Sequence, residues 1–241
     1  ENGTFWATWQ PKDEQKGLDP DGRLINKGIA ESLVQQLASS PDGVVKSVTK
    51  SKKKDLQRLP LSLSSLQVLA GKAYSYDPQT VLDTAQKLYE KKLTTYPRSD
   101  CEYLPPNQYG DRMAILSNLA QSGDEKLSQW AQNADRNIKS RAWNEKKITA
   151  HHAIIPTTVA CNVNSLTQAE RNIYFLISQA YIAQFYGEHV YEQTRIVVGQ
   201  CEEEFVANGR VVIEEGWKSL YKRQKSKTNA DGDEPDLTDE R

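Results

Sequence analysis

Residues 4–9, Thr-Phe-Trp-Ala-Thr-Trp, alternate and are rich in aromatic and β-branched types, which predicts a strand. Asp19-Pro-Asp-Gly22 reads as a turn. Ile29, Leu33 and Leu37 then recur at helical spacing until Ser39-Ser-Pro-Asp-Gly43 breaks the pattern. Residues 44–54 predict a second strand, with Lys46, Lys50, Lys52, Lys53 and Lys54 giving it a basic face. From Pro60 the period becomes helical. Ser62 can cap a helix carrying Leu66, Leu69, Ala70 and Ala73. Asp77 followed by Pro78 is a capping carboxylate with proline at the first helical position. It opens a helix with Val81, Leu82, Ala85, Leu88 and Tyr89 on one face. The chain is then extended through Leu93-Thr-Thr-Tyr96. Further helices are predicted at 106–121 and 124–137, followed by a long polar loop to Ala150. Thr167 and Glu170 form a capping-box pattern for a helix bearing Ile173, Tyr174, Ile177, Tyr181 and Phe185, which ends at Gly187. Residues 190–198 are β-rich. Residues 203–207 and 210–214 flank Asn208-Gly209, a strong hairpin signal.

The order is β/α, then all-α, then β. It implies an α+β fold in which a helical domain (59–186) is inserted into a discontinuous β-rich domain (1–58 and 187–222). Two short helices followed by an extended segment suggest a winged helix-turn-helix. The segment 223–241 is polar and acidic, a composition expected to be disordered.

Composition narrows the function classes. Of 241 residues, 37% are hydrophobic and 26% charged, the balance of an ordinary globular chain. No apolar run approaches the roughly 20 residues of a membrane helix, and no signal peptide is visible. A chain that starts at Glu1 with Met113 as its only methionine reads as an excised or processed piece. Cys101, Cys161 and Cys201 are odd in number and form no CxxC pair. That disfavours zinc ribbons and disulfide frameworks and fits a reducing cytoplasm. The net charge of −1 hides an acidic tail from Thr228, without which the remainder carries about +4.

The chemistry concentrates in two stretches. Thr94-Thr-Tyr-Pro-Arg-Ser-Asp100 sets a phenol, a guanidinium, a hydroxyl and a carboxylate close together, with Pro97 stiffening the backbone. A tyrosine can attack a phosphodiester and hold the phosphoryl group as an ester. Attack needs a nearby cation for the transition state, and Arg98 is the candidate. On residue types alone, the same stretch also reads as a solvated turn with a buried Tyr and a surface Arg. The second stretch is Ala150-His-His-Ala-Ile-Ile-Pro-Thr157. Glu145 is the nearest further ligand and His189 is distant, so the spacing does not suit zinc. A phosphate donor is the functional reading of this pair, and a satisfied structural histidine is the other. Adjacent histidines on a strand point to opposite faces, so at most one aims at a common site. Asp19-Pro-Asp21 and Asp231-Gly-Asp233 have Asp-x-Asp spacing but sit in turn and tail sequence, as solvated acids. No GxSxG, Walker A or GxGxxG motif is present, so no nucleotide cofactor is expected.

Leu59-Pro-Leu-Ser-Leu-Ser-Ser-Leu-Gln67, Ala85-Gln-Lys-Leu-Tyr-Glu90, Thr95-Tyr-Pro-Arg-Ser-Asp100, Tyr103-Leu-Pro105 and Ala150-His-His-Ala-Ile-Ile-Pro-Thr157 together resemble bacterial type IA DNA topoisomerases, in the same order. The His-His-Ala-Ile-Ile-Pro-Thr version is similar to the topoisomerase III subfamily. The resemblance spans nearly the whole chain and thins in the acidic tail. It implies a toroidal enzyme that passes one DNA strand through a break in another. It assigns the nucleophile to Tyr96, which would become linked to a 5′-phosphate, the transition-state cation to Arg98 and a phosphate contact to His151. It also implies DNA contacts by Arg98, Ser99, Asp100, His151 and His152. The helical domain would be winged-helix-like and the β-rich part an arch. Magnesium would be held by a Toprim domain that these residues do not contain, so no metal ligand is expected in this chain and the chain alone is expected to be inactive. The implied partners are single-stranded DNA and the other domains of the same polypeptide, with no membrane partner.

A repressor-like DNA-binding module and an inert interaction domain are the competing readings. The second helix of the pair offers Gln79, Thr80, Asp83, Thr84 and Gln86, with Lys87 and Lys91 near its end. Its acids and lack of arginine argue against base-specific reading of a duplex. The Lys46–Lys54 face could track phosphate, although a charged strand face is commonly just solvated.

Overall fold

The computed structural model describes residues 3–12 and 14–222. The predictions for the acidic tail and for Asp231-Gly-Asp233 therefore lie outside the described residues. The chain forms two compact units, each described below on its own. One combines residues 3–54 with Val190–Glu214, and the other combines Asp55–His189 with 215–222.

The first unit is a sheet with one helix. Its strands are β1 (Thr8–Gln10), β2 (Val44–Asp55), β3 (His189–Gln200) and β4 (Glu203–Glu214), and helix α1 (Lys27–Ser39) is capped by the Asn26 side chain. The strand order is β1-β4-β3-β2. Of the strand expected over 4–9 only Thr8 and Trp9 pair, against Val206 and Phe205, and Gln10 extends the pairing to Glu204. Trp6 before it is 98% exposed. Strand β2 is an edge, and lysines there discourage further pairing. Lys46 reaches Glu204 and Lys50 reaches Glu192, each at 2.9 Å.

The hairpin expected at Asn208-Gly209 is not a turn. Both residues lie inside β4, opposite Arg195 and Thr194. The reversal occurs at Cys201-Glu202, with φ of 54° and 64° and Gln200 paired to Glu203. A turn at 208–209 would pair two five-residue arms and leave β3 without that partner. The observed turn lets two 12-residue strands satisfy each other's backbone groups.

The second unit is helical. It contains α2 (Leu63–Tyr74), α3 (Pro78–Glu90), α4 (Arg112–Ala120), α5 (Glu125–Asn133) and α6 (Gln168–Ile182). Ser62, Asp77 and Thr167 cap their helices through side-chain oxygens, as the sequence signals require, and Asp124 does the same for α5. The helix expected over 106–121 begins instead as a 3₁₀ segment, Pro106–Asp111, and the one expected over 124–137 stops at Asn133. Helix α6 is the axis of the unit. Ile173, Tyr174, Ile177 and Tyr181 are all at most 2% exposed, and Phe185 follows them into the core. Burial raises the Tyr174 and Tyr181 phenols above their ordinary range. Residues 215–222 group with this unit rather than with the strands, because Trp217 and Leu220 are buried in its core. The backbone N–H of Trp217 donates to Gly187 O at 3.0 Å. Gly216, at φ +53°, approaches the Gly187 and Glu188 carbonyls too closely for a Cβ.

Candidate active site

The site is built where α3 ends. The N–H of Leu93 donates to Leu88 O at 2.9 Å and that of Lys92 to Tyr89 O at 2.8 Å. This pair of bonds is a Schellman cap, with Lys92 in the left-handed position at φ 60°. Its hydrophobic partners, Leu88 and Leu93, are both buried. The cap turns the chain sharply away from the helix. Lys91 also donates to Glu170 at 2.7 Å, tying this helix end to the start of α6. Burial alone would raise the Glu170 carboxyl. The bonds from Lys91 and Thr167 outweigh it and hold the group below the usual carboxylate range.

The chain after the cap pairs with the histidine-bearing stretch. Thr95 N donates to Ile155 O at 2.9 Å, and Thr157 N to Leu93 O at 3.1 Å. Ile155 N donates to Thr95 Oγ1 at 3.0 Å, and Ile154 N to Leu61 O at 2.8 Å. Two stretches far apart in sequence are thus held edge to edge. Tyr96 leaves this pairing 39% exposed. Its ring stacks on the imidazole of His151, with centroids 5.0 Å apart and planes 27° from parallel. Tyr89, from the last turn of α3, meets the Tyr96 ring edge-on at 5.8 Å and 83°. The phenol ring therefore has one aromatic contact of each kind, and neither seals it from solvent.

Arg98 is exposed and makes no hydrogen bond or ion pair among the described residues. Neither ring nitrogen of His151 has a partner among them. By contrast, Ser99 is 1% exposed, and its Oγ accepts from Cys101 N at 3.1 Å while its carbonyl accepts from Leu63 N at 2.8 Å. Asp100 accepts from Thr149 Oγ1 at 3.1 Å. His152 Nδ1 lies 2.8 Å from Ala153 O, and its Nε2 lies 2.9 Å from Gln108 Nε2. One tautomer satisfies both contacts: Nδ1–H donates to the carbonyl and Nε2 accepts from the amide. The two histidines thus part company, one free at the surface and one fastened within the fold. Tyr96, Arg98 and His151 present unsatisfied groups, while Ser99, Asp100 and His152 are bonded to protein.

Tyr89, Lys92 and Thr149 were not singled out as site residues. Tyr89 was expected on the packing face of α3, yet it is 41% exposed. Its position in the last helical turn before the Leu93-Thr-Thr-Tyr96 segment was the available signal. Among the described residues, no three His, Cys, Asp or Glu side chains converge to hold a metal ion. Asp19 and Asp21 clasp Arg23 instead, at 2.7 and 2.8 Å.

The family model described as DNA topoisomerase matches residues 4–240. The chain belongs to the DNA topoisomerase family. This topoisomerase chain is 37% identical over 230 residues to DNA topoisomerase 3 of Vibrio cholerae serotype O1, covering 93% of itself and 35% of that protein. DNA topoisomerase 3 of Haemophilus influenzae is 39% identical over 229 residues, with 93% and 34% covered. That of Bacillus subtilis is 32% identical over 219 residues, with 89% and 29% covered. These names agree with the resemblance to topoisomerase III read from the motifs. The topoisomerase chain spans about a third of the length of these relatives. In fold it is similar to full-length topoisomerase I from Thermotoga maritima, at TM-score 0.61 and 20% identity, over 95% of this chain and 37% of that one.

Proposed function

We propose that this chain is the nucleophile-bearing part of a type IA topoisomerase that cuts and reseals one DNA strand through Tyr96. The observation that carries the reading is the exposed phenol, stacked on His151 with Arg98 two residues away and unpaired. The phenol oxygen bonds to the scissile phosphorus and the P–O3′ bond breaks. The 3′ oxygen leaves as a hydroxyl, gaining a proton as the phenol gives one up. One phosphodiester replaces another, so resealing needs no nucleotide energy source. Arg98 offsets the charge that builds on the non-bridging oxygens. His151 steadies the ring by stacking and offers a ring nitrogen to the phosphate. Ser99, Asp100 and His152 act indirectly in this reading, by shaping the turn and the His151 strand. The resemblance assigns magnesium to a Toprim domain, and no step here is derived through it.

The helical unit, with α2, α3 and the paired extended segments, serves as a winged-helix-like gate inserted into a β-rich arch. The polar groups of α3 support strand binding without base reading, because they bond to one another. Gln79 donates to Asp83 at 2.7 Å, Gln86 to Glu90 at 3.0 Å and Thr84 to Thr80 O at 2.7 Å. The free thiols of Cys101, Cys161 and Cys201 suit a reducing cytoplasm. The test is to mix the chain with single-stranded DNA, magnesium and a Toprim-containing fragment. A covalent adduct that Tyr96→Phe abolishes supports the reading. Strand binding with no adduct would favour a non-catalytic DNA-binding module. The chain by itself is expected to form no adduct.

A further inference from the structure

We infer that the depression beside Tyr96 is a nucleotide pocket for the first residue of the DNA end that stays attached to the phenol, an inference that rests on the reading of Tyr96 as nucleophile. After cleavage, the 5′-phosphoryl end is joined to Tyr96, so whatever holds its first nucleotide must move with the helical unit. An open depression of about 500 Å³ lies next to the ring, lined by Tyr89, Glu90, Lys92, Tyr96 and the threonines 94, 95 and 157. That volume is within the range of small-ligand sites. Tyr89 supplies an exposed aromatic wall, the kind of surface on which a nucleobase stacks whatever its identity.

Two further features mark it as more than a dent. Thr94 is 1% exposed at the floor, and its Oγ1 has no hydrogen-bond partner among the described residues. Buried hydroxyls are normally satisfied; this one is covered in the unliganded protein, so a sugar or base edge would reach it only with a small movement of the floor. Lys92 occupies a left-handed backbone position that glycine usually fills in caps of this kind. A lysine there carries a conformational cost and places an exposed ammonium at the rim, where the next phosphate of the strand would lie. The Glu90 carboxylate on the same rim accepts from Gln86 at 3.0 Å. The other threonine hydroxyls are occupied: Thr95 Oγ1 bonds to Ala153 O and Ile155 N, and Thr157 Oγ1 to Lys92 O. The pocket therefore offers one stacking wall and one cation at its rim, beside the bonded Glu90 carboxylate, enough for a nucleotide and too few to specify a base.

The probe is a 5′-phosphorylated pentathymidylate with 2-aminopurine at its first or fourth position, titrated into the full chain. Position one is expected to be quenched more than position four. Tyr89→Ala should weaken binding about tenfold and remove the quenching, and Tyr89→Phe should restore both. Lys92→Gly should weaken binding severalfold while raising Tm by about 3 °C, because glycine relieves the backbone. A misfolded Tyr89→Ala leaves Lys92→Gly as the test, since that change favours folding. Equal quenching at both positions, or wild-type binding by Tyr89→Ala and Lys92→Gly while Arg98→Ala still weakens it, overturns the pocket and spares the nucleophile reading. Absence of strand binding by the wild-type chain overturns the pocket, while the nucleophile reading stands or falls on the adduct formed with the Toprim-containing fragment.

Discussion

The ring of Tyr96 rests on the imidazole of His151, 5.0 Å between centroids, because residues 93–95 pair with 153–157 and bring the two side chains to one edge. The stack restricts the phenol without covering it. Replacing His151 should therefore have two separable effects. His151→Ala loses both the stack and the donor, and adduct formation in the complemented assay is expected to fall about 100-fold. His151→Phe keeps an aromatic face and loses only the donor, so its rate should lie between alanine and wild type. Equal rates for the two variants would show that the stack contributes nothing.

Arg98 makes no bond within the described protein, so its substitution should leave stability alone. Arg98→Ala is expected to hold the unfolding free energy within about 0.5 kcal/mol. The same change should slow adduct formation about 100- to 1,000-fold. Arg98→Lys keeps the charge but loses the planar fork, and an intermediate rate is expected. Chemical denaturation and single-turnover cleavage check the two halves of this expectation.

Much of the helical unit was legible in the sequence because its caps are local signals. Ser62, Asp77 and Thr167 each announce a helix start, and each side chain makes the bond its type suggests. The Tyr96–His151 relationship was not legible from spacing, because nothing local says that residues 93–95 lie against 153–157. The resemblance supplied the roles, and the backbone pairing accounts only for the nearness of the two side chains. The hairpin turn departs from its local signal for the opposite reason. Asn208-Gly209 is a strong local turn signal, but 12-residue pairing of β3 with β4 outweighs it, and the turn falls on Cys201-Glu202. Tyr89 looked like core by helical phase and is half-exposed because the helix ends beneath it.

That turn gives a stability prediction. Two non-glycine residues with positive φ carry a cost that Asn-Gly would not. Replacing Cys201-Glu202 by Asn-Gly is expected to stabilise the sheet unit by about 1–2 kcal/mol, read from urea unfolding. No gain, or a loss, would contradict a strained turn at these two residues.

Glu170 gives a pH prediction. Its folded-state pKa lies below the ordinary value, so its contribution is fully present above the ordinary glutamate range, near pH 4.3. That contribution is lost as pH falls through the folded value. Glu170→Gln should cost about 1–2 kcal/mol at neutral pH by breaking the contact with Lys91. The difference from wild type should shrink on acidification, as thermal melts between pH 7 and pH 3 would show. A difference that grows on acidification would mean the carboxyl is not stabilised as its anion.

The most direct test is mass spectrometry of the adduct trapped from the chain, a Toprim-containing fragment, magnesium and a single-stranded oligonucleotide. The expected product is one peptide carrying the 5′-phosphoryl end on the Tyr96 oxygen, absent from Tyr96→Phe. An adduct on Tyr89 or Tyr103, a 3′-phosphoryl linkage, or an adduct that survives in Tyr96→Phe would contradict it.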